Sequence, residues 1–144
     1  MRIYFVRHGE SQANVLREIS NRGLKHGLTE KGRQQAEALA RRLKGIPFQR
    51  IYTSPLLRAV ETSQILAGWL KVEFEITPAL REFDCGIMEG HADETAWQAW
   101  RELTQAWVEH GQWEQRIPGG ESFVDLRERF EPFVNGLVDA FQGT

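Results

Sequence analysis

The chain has 144 residues, 18 Lys plus Arg against 20 Asp plus Glu, and a formal net charge of −2 at pH 7. That length sets the expectation of a single domain over residues 1–144 that buries a core without staples, and the interspersed charges speak against a nucleic-acid or membrane partner. No run approaches the roughly 20 apolar residues of a membrane span, Cys85 has no second cysteine to pair with, and the apolar run before Arg7 is too short for a signal peptide, so a cytoplasmic location is expected.

Ile3-Tyr4-Phe5-Val6 runs straight into Arg7-His8-Gly9, which predicts a fully buried first strand with His8 at its carboxyl end, where parallel α/β sheets bind ligands. Residues 12–28 show no sustained period and predict a loop with at most a short helix. Thr29 then reads as an N-cap, and Ala36, Leu39, Ala40 and Leu43 fall on one helical face that Gly45 and Pro47 end. Ile51-Tyr52-Thr53 reads as a second strand. Ser54 and Pro55 suit the N-cap and first position of a helix whose buried face is Leu56, Ala59, Val60, Leu66, Ala67 and Leu70. Val72 to Ile76 alternates apolar and acidic residues, as a strand with one wet face does. Strands alternating with helices predict an α/β fold built on a doubly wound, mainly parallel sheet.

Residues 77–92 form a loop carrying Arg81-Glu82-Phe83-Asp84-Cys85-Gly86 and Glu89-Gly90. Ala96, Trp100, Leu103 and Trp107 follow at helical spacing with Trp97 beside them, an aromatic face that reads as core packing before ligand contact; a helical cap or insertion over 93–116 would satisfy both. After the turn at Ile117-Pro118-Gly119-Gly120, Leu126, Phe130, Phe133, Val134, Leu137 and Phe141 mark a last amphipathic helix, which Pro132 should kink or split. A crossover there should deliver another parallel strand, but the sequence stops at Gln142-Gly143-Thr144. The expectation is a sheet whose last strand is missing and whose first strand has an open edge, which in turn predicts a homodimer or an exchanged segment.

Three elements carry chemistry. In Arg7-His8-Gly9 a neutral imidazole can attack phosphorus if a backbone acceptor holds one ring nitrogen as N–H, and arginine's fork suits phosphate oxygens. On its own, a histidine at a strand end is an ordinary polar residue more often than a nucleophile. Arg58 lies in the first turn of a helix, where the dipole disfavours a cation and a bound anion removes the conflict; a solvated arginine is the plainer alternative. Glu82, near Asp84 and Glu89, can protonate a departing alkoxide if its surroundings raise its pKa; otherwise these are loop carboxylates facing water or Arg81. There is no Walker-type loop, no arginine at the spacing a cysteine phosphatase needs after Cys85, and no closely spaced metal-ligand set, so neither metal nor cofactor is expected.

Arg7-His8-Gly9-Glu10-Ser11 with Asn14, Leu28-Thr29-Glu30-Lys31-Gly32 with Gln35-Ala36, Thr53-Ser54-Pro55 with Arg58-Ala59 and Glu61-Thr62, Leu80-Arg81-Glu82 with Gly86 and Glu89-Gly90, and Pro118-Gly119-Gly120-Glu121-Ser122 together resemble the histidine phosphatase superfamily, the phosphoglycerate-mutase-like group. The resemblance implies that His8 becomes phosphohistidine, that Arg7, Arg58 and Asn14 bind the phosphoryl group, and that Glu82 is the general acid. It implies a small phosphorylated metabolite as substrate, and the stretch from Gly86 to Glu121 is shorter than in mutases, which favours a phosphatase. Family members carry a second His-Gly after the last helix. His26, His91 and His110 do not follow an apolar run and do not fill that role, so impaired turnover is expected, because losing a donor to the transition state costs orders of magnitude. A non-catalytic phosphate-binding module and a fragment of a longer phosphatase or mutase are the alternatives. Residues 15–27 and 93–116 would set the substrate.

Overall fold

The computed structural model describes residues 1–141. They divide into two compact units, one spanning Arg7–Glu82, the other made of Met1–Val6 with the chain from Phe83 onward. The expected stop before a further strand falls on Gln142–Thr144, outside the described residues.

The Arg7–Glu82 unit is an α/β layer. Its elements are helix α1 (Gln12–Leu16), helix α2 (Glu30–Leu43), strand β1 (Ile51–Thr53), helix α3 (Leu57–Leu70) and strand β2 (Phe74–Ile76). β1 and β2 run parallel with Ile51 opposite Phe74 and Thr53 opposite Ile76; α3 is the crossover a parallel pair requires. Thr29 caps α2 as expected, its hydroxyl accepting from the Gly32 amide at 3.1 Å. The small residues Ala36 and Ala40 of α2 are buried, which lets the helix lie close to its neighbours.

α3 begins later than its sequence signals indicate. Ser54 accepts from the Leu56 amide two residues on at 3.3 Å, so Ser54-Pro55-Leu56 close a turn, and the N-cap is Leu56, without a side-chain cap. The buried residues of α3 are Arg58, Thr62, Ser63 and Leu66. The face toward the interior is therefore largely polar, and of the apolar residues expected there within the helix only Leu66 is fully buried.

The first strand is a correction. Ile3, Tyr4, Phe5 and Val6 are 41%, 39%, 76% and 43% exposed, and residues 1–10 carry no strand. A strand exists through a hydrogen-bonded neighbour, and the sheet among the described residues pairs only β1 with β2. Apolar content alone does not bury a segment that has no ladder.

The second unit is built on helices α4 (Glu94–His110) and α5 (Phe123–Ala140). Trp107 is buried and packs edge-on against Phe83, ring centres 4.9 Å apart, with Phe123 at 5.9 Å on another side. Trp100 stacks on Phe83 at 6.2 Å and meets Trp97 at 5.7 Å. The indole N–H of Trp107 donates to the Gln115 carbonyl at 2.9 Å, satisfying its polar atom as a core tryptophan requires. The aromatic stripe thus packs the core of this unit. Ser122 and Asp125 form a reciprocal capping box at the start of α5. α5 runs through Pro132 as one helix, so the proline does not split it; it removes one backbone donor from an otherwise continuous ladder.

Within each unit, glycines let two segments touch backbone to backbone, a loop against the first turn of α2 in one and two loops in the other. A Cβ on Gly32 would lie 2.0 Å from the Glu10 carbonyl oxygen, and one on Gly9 2.3 Å from the Gly32 oxygen. In the other unit, Gly86, at φ +53, would place a Cβ 2.1 Å from the Pro118 oxygen. Gly32→Ala is expected to lower the unfolding free energy by about 2–3 kcal/mol, whereas Gly68→Ala in α3, with open space around its Cβ, should raise it by about 0.5–1 kcal/mol. Urea denaturation of the two variants checks this; equal effects would mean that the close approach at Gly32 holds nothing.

Candidate active site

The loop Arg7–Ser11 is pinned from two helices of its own unit. The Glu10 amide donates to Gln35 Oε1 at 2.8 Å, and the Glu10 carbonyl accepts from the Thr29 amide at 2.9 Å. The Glu10 carboxylate takes the Thr29 hydroxyl at 2.8 Å and Lys31 Nζ at 3.1 Å, which hold its pKa below the usual carboxylate range, the Thr29 bond contributing most. From α3, Thr62 Oγ1 accepts the Gly9 amide at 3.2 Å while its own hydroxyl donates to the Arg58 carbonyl at 2.8 Å. Glu61 fastens the other side, accepting from the Leu28 amide at 2.5 Å and from Arg33 at 2.7 Å. With its neighbours fixed, His8 has little freedom to turn.

The His8 ring is half-buried, with Nδ1 2.6 Å from the Gly9 carbonyl oxygen and Nε2 3.1 Å from Arg58 Nε. Guanidinium nitrogens only donate, so Nε2 accepts, and the ring proton is assigned to Nδ1, where it donates to Gly9. Burial depresses the imidazole pKa most; the charges of Arg58 and Arg7 depress it further, against the opposing Gly9 bond and the Glu82 carboxylate. The ring is therefore neutral near pH 7, with its Nε2 lone pair taken by the Arg58 N–H; a neutral imidazole is a nucleophile once such a bond is released.

Arg58 is only 8% exposed. Beyond its bond to His8, its Nη1 donates to the Ser20 carbonyl at 2.7 Å and Nη2 reaches Asn21 Oδ1 at 3.4 Å. The arginine that the helix dipole disfavours is thus turned inward, not solvated. Arg7 and Glu82 are exposed and face the ring through their charges. Asn14 is placed differently: its Oδ1 accepts from the Ser11 amide at 2.9 Å and the Ser11 hydroxyl at 3.0 Å, closing the capping box of α1. Its amide nitrogen takes no part in those bonds.

Asp84 lies in the other unit, where its carboxylate accepts from the Gly86 amide at 2.7 Å and shapes the turn. Among the described residues, no group of three or more His, Cys, Asp or Glu side chains clusters as metal ligands do, and no helix is long and apolar enough to cross a membrane. Sequence reasoning quoted Thr62 only within a motif block and placed Ser20 and Asn21 only within the substrate-setting stretch 15–27, without a role for any of the three beside Arg58 or Gly9. Thr62 follows Arg58 by one helical turn, so its place on the same face was available from spacing; Ser20 and Asn21 sit in a loop with no period to read.

The profile of the histidine phosphatase superfamily (branch 1) matches residues 3–144. The chain is 36% identical over 150 residues to the probable phosphoglycerate mutase GpmB of Cronobacter sakazakii, covering 100% of this chain and 66% of that protein. Among solved structures, YhfR of Bacillus stearothermophilus superposes with a TM-score of 0.77 at 34% identity, covering 95% of this chain and 67% of its own. The alpha-ribazole phosphatase of Shigella flexneri does so at 0.74 and 30% identity, covering 94% and 66%. The chain spans 66% of the length of the Cronobacter sakazakii protein and 63% of the probable phosphoglycerate mutase GpmB of Proteus mirabilis. On its profile match, its identity to these proteins and its α/β fold, the chain belongs to the histidine phosphatase superfamily.

Proposed function

We propose that the protein is a metal-independent phosphomonoester hydrolase acting through a phosphohistidine at His8. The observation that carries this reading is the His8 ring itself, Nδ1–H tied to the Gly9 carbonyl at 2.6 Å and Nε2 facing Arg58 Nε at 3.1 Å. Arg58 and Arg7 bind the equatorial oxygens of the phosphoryl group, and the Asn14 amide nitrogen adds a donor. His8 Nε2 gives up its bond to the Arg58 N–H and forms a bond to phosphorus as the phosphorus–oxygen ester bond breaks, and Glu82 in its protonated form gives its proton to the departing alkoxide. Water then attacks phosphorus, Glu82 takes the proton back, and the phosphorus–nitrogen bond breaks to release phosphate and neutral His8.

The substrate is a small phosphorylated metabolite. Superposing structures include an alpha-ribazole phosphatase and a glucosyl-3-phosphoglycerate phosphatase, which favours hydrolysis. The mutase name of the curated relatives favours a second reading, return of the phosphoryl group to another hydroxyl. Release of inorganic phosphate in step with loss of ester separates the two. A phosphate-binding module without catalysis predicts binding but no phosphoenzyme.

Incubation with a generic aryl phosphate and acid-free quenching should trap an acid-labile phosphohistidine in the wild-type chain. His8→Asn should abolish it and reduce turnover at least about a thousandfold; an unchanged rate in that variant would end this reading. Because the folded ring has a depressed pKa and protonation removes the nucleophilic lone pair, His8 should govern the low-pH side of kcat/KM. Its acid limb should fall below about pH 6.5, the ordinary histidine value.

Glu82→Gln should cost about 10²–10³-fold with alkyl phosphates, whose leaving groups need the proton. With a nitrophenyl ester, whose leaving group departs unaided, the loss should be much smaller. Equal losses on both esters would remove Glu82 from the role of acid.

A further inference from the structure

The bond from Arg58 to His8 depends on what holds the far end of the guanidinium. Its Nη1 donates to the Ser20 carbonyl at 2.7 Å and its Nη2 to Asn21 Oδ1 at 3.4 Å, and Ser20, Asn21 and Arg58 are all buried. The loop that carries these acceptors is closed by Glu18. The Glu18 amide donates to the Ala13 carbonyl at 3.0 Å, and its carboxylate accepts Lys25 Nζ at 2.6 Å and lies 3.1 Å from Nε2 of buried His26. Lys25 first, then His26, holds the Glu18 carboxyl below its usual range, so this closure persists through neutral pH.

The chemistry of the acceptors matters as much as their position. A backbone carbonyl, an amide oxygen and an imidazole nitrogen are all neutral, so they orient the guanidinium without cancelling its charge. A carboxylate at the same point would orient it equally well while taking up charge that an incoming anion needs.

We propose that Asn21 is a positioning residue for phosphate binding: its neutral side-chain oxygen aims Arg58 at His8 without itself neutralising the guanidinium. The proposal rests on the reading of Arg58 as a ligand of the phosphoryl group. It deepens that reading by placing part of the site's affinity in a loop residue that does not touch the anion.

Asn21→Asp is the discriminating substitution, because it keeps the shape and adds only charge. In the full 144-residue chain, three readouts apply: inorganic phosphate affinity by calorimetry, the His8 ring titration by NMR, and the melting temperature. The other charged groups facing His8, namely Arg58, Arg7 and Glu82, are retained in every variant. Asn21→Asp should melt at or above the wild-type temperature, weaken phosphate binding about tenfold, and raise the His8 midpoint by about one pH unit. Asn21→Ala should weaken phosphate binding about three- to fivefold with little change in the His8 midpoint. Asn21→Ser, which restores a neutral acceptor, should recover part of that loss, and this pair decides the matter if the Asp variant does not fold.

Unchanged phosphate affinity and His8 midpoint in a folded Asp variant overturn the proposal alone. Loss of affinity that merely tracks a falling melting temperature overturns it too, since that is what a structural role produces. Failure of the wild-type chain to bind phosphate overturns the phosphoryl-transfer reading, and the proposal with it.

Discussion

One imidazole held between a backbone carbonyl and a guanidinium organises the Arg7–Glu82 unit. Gly9 supplies the carbonyl at 2.6 Å and Arg58 the N–H at 3.1 Å, and each of these groups needs its own support. The carbonyl is in place because Gly9 and Gly32 approach closer than any side chain permits and because Thr62 takes the Gly9 amide. The guanidinium is in place because it begins one turn before that threonine and ends against Ser20 and Asn21. Thr62 links the two sides, since it accepts from Gly9 and donates to the carbonyl of Arg58. Movement on one side of the ring is therefore transmitted to the other through one hydroxyl.

A buried arginine beside a half-buried imidazole is an expensive arrangement for a fold to keep. Desolvation opposes both charged forms, and the ring escapes by staying neutral, whereas the guanidinium cannot. Three hydrogen bonds from Arg58 to neutral acceptors help to meet this, satisfying donors without themselves adding negative charge. The result is a guanidinium held in one place beside the ring. Burial lowers the imidazole pKa most and the charges of Arg58 and Arg7 lower it further, so the ring stays unprotonated.

The sequence made some layers of this legible and not others. α2 was readable from Thr29 and the spacing of Ala36, Ala40 and Leu43, and β1 from three β-favouring residues before a turn, because local propensity and burial agree there. His8 and Arg58 were singled out by motif and topology, but the bond between them was not foreseen. The segment Ile3–Val6 did not, because apolar content predicts burial only when a partner strand supplies hydrogen bonds, and composition carries no information about that partner. The inner face of α3 was misread for a related reason. A periodicity of apolar residues finds the face that packs, but here the buried residues include Arg58, Thr62 and Ser63, whose burial is made tolerable by specific bonds and not by hydrophobicity. Ser20 and Asn21 were legible only as part of the stretch 15–27, not as partners of Arg58, since a loop position is defined by what it touches.

The blocks that made the family resemblance specific divide by what they do. Few of them touch the His8 ring. Glu10, Thr29, Lys31, Gln35 and Glu61 bind one another and the backbone around it, and Gly32 serves through the absence of a side chain. The second unit repeats the device with different residues. Glu121 accepts the Asp84 amide at 2.9 Å and is itself held by Arg129 at 3.2 Å, while Gly86 and Gly120 lie against facing backbone. Two loops in backbone contact admit very few substitutions, because a single methyl group already collides, whereas a side chain in open solvent admits many. A recognisable motif in such a protein is thus mainly a record of how closely its loops must approach one another, and the chemistry is carried by the small number of side chains that this closeness holds still.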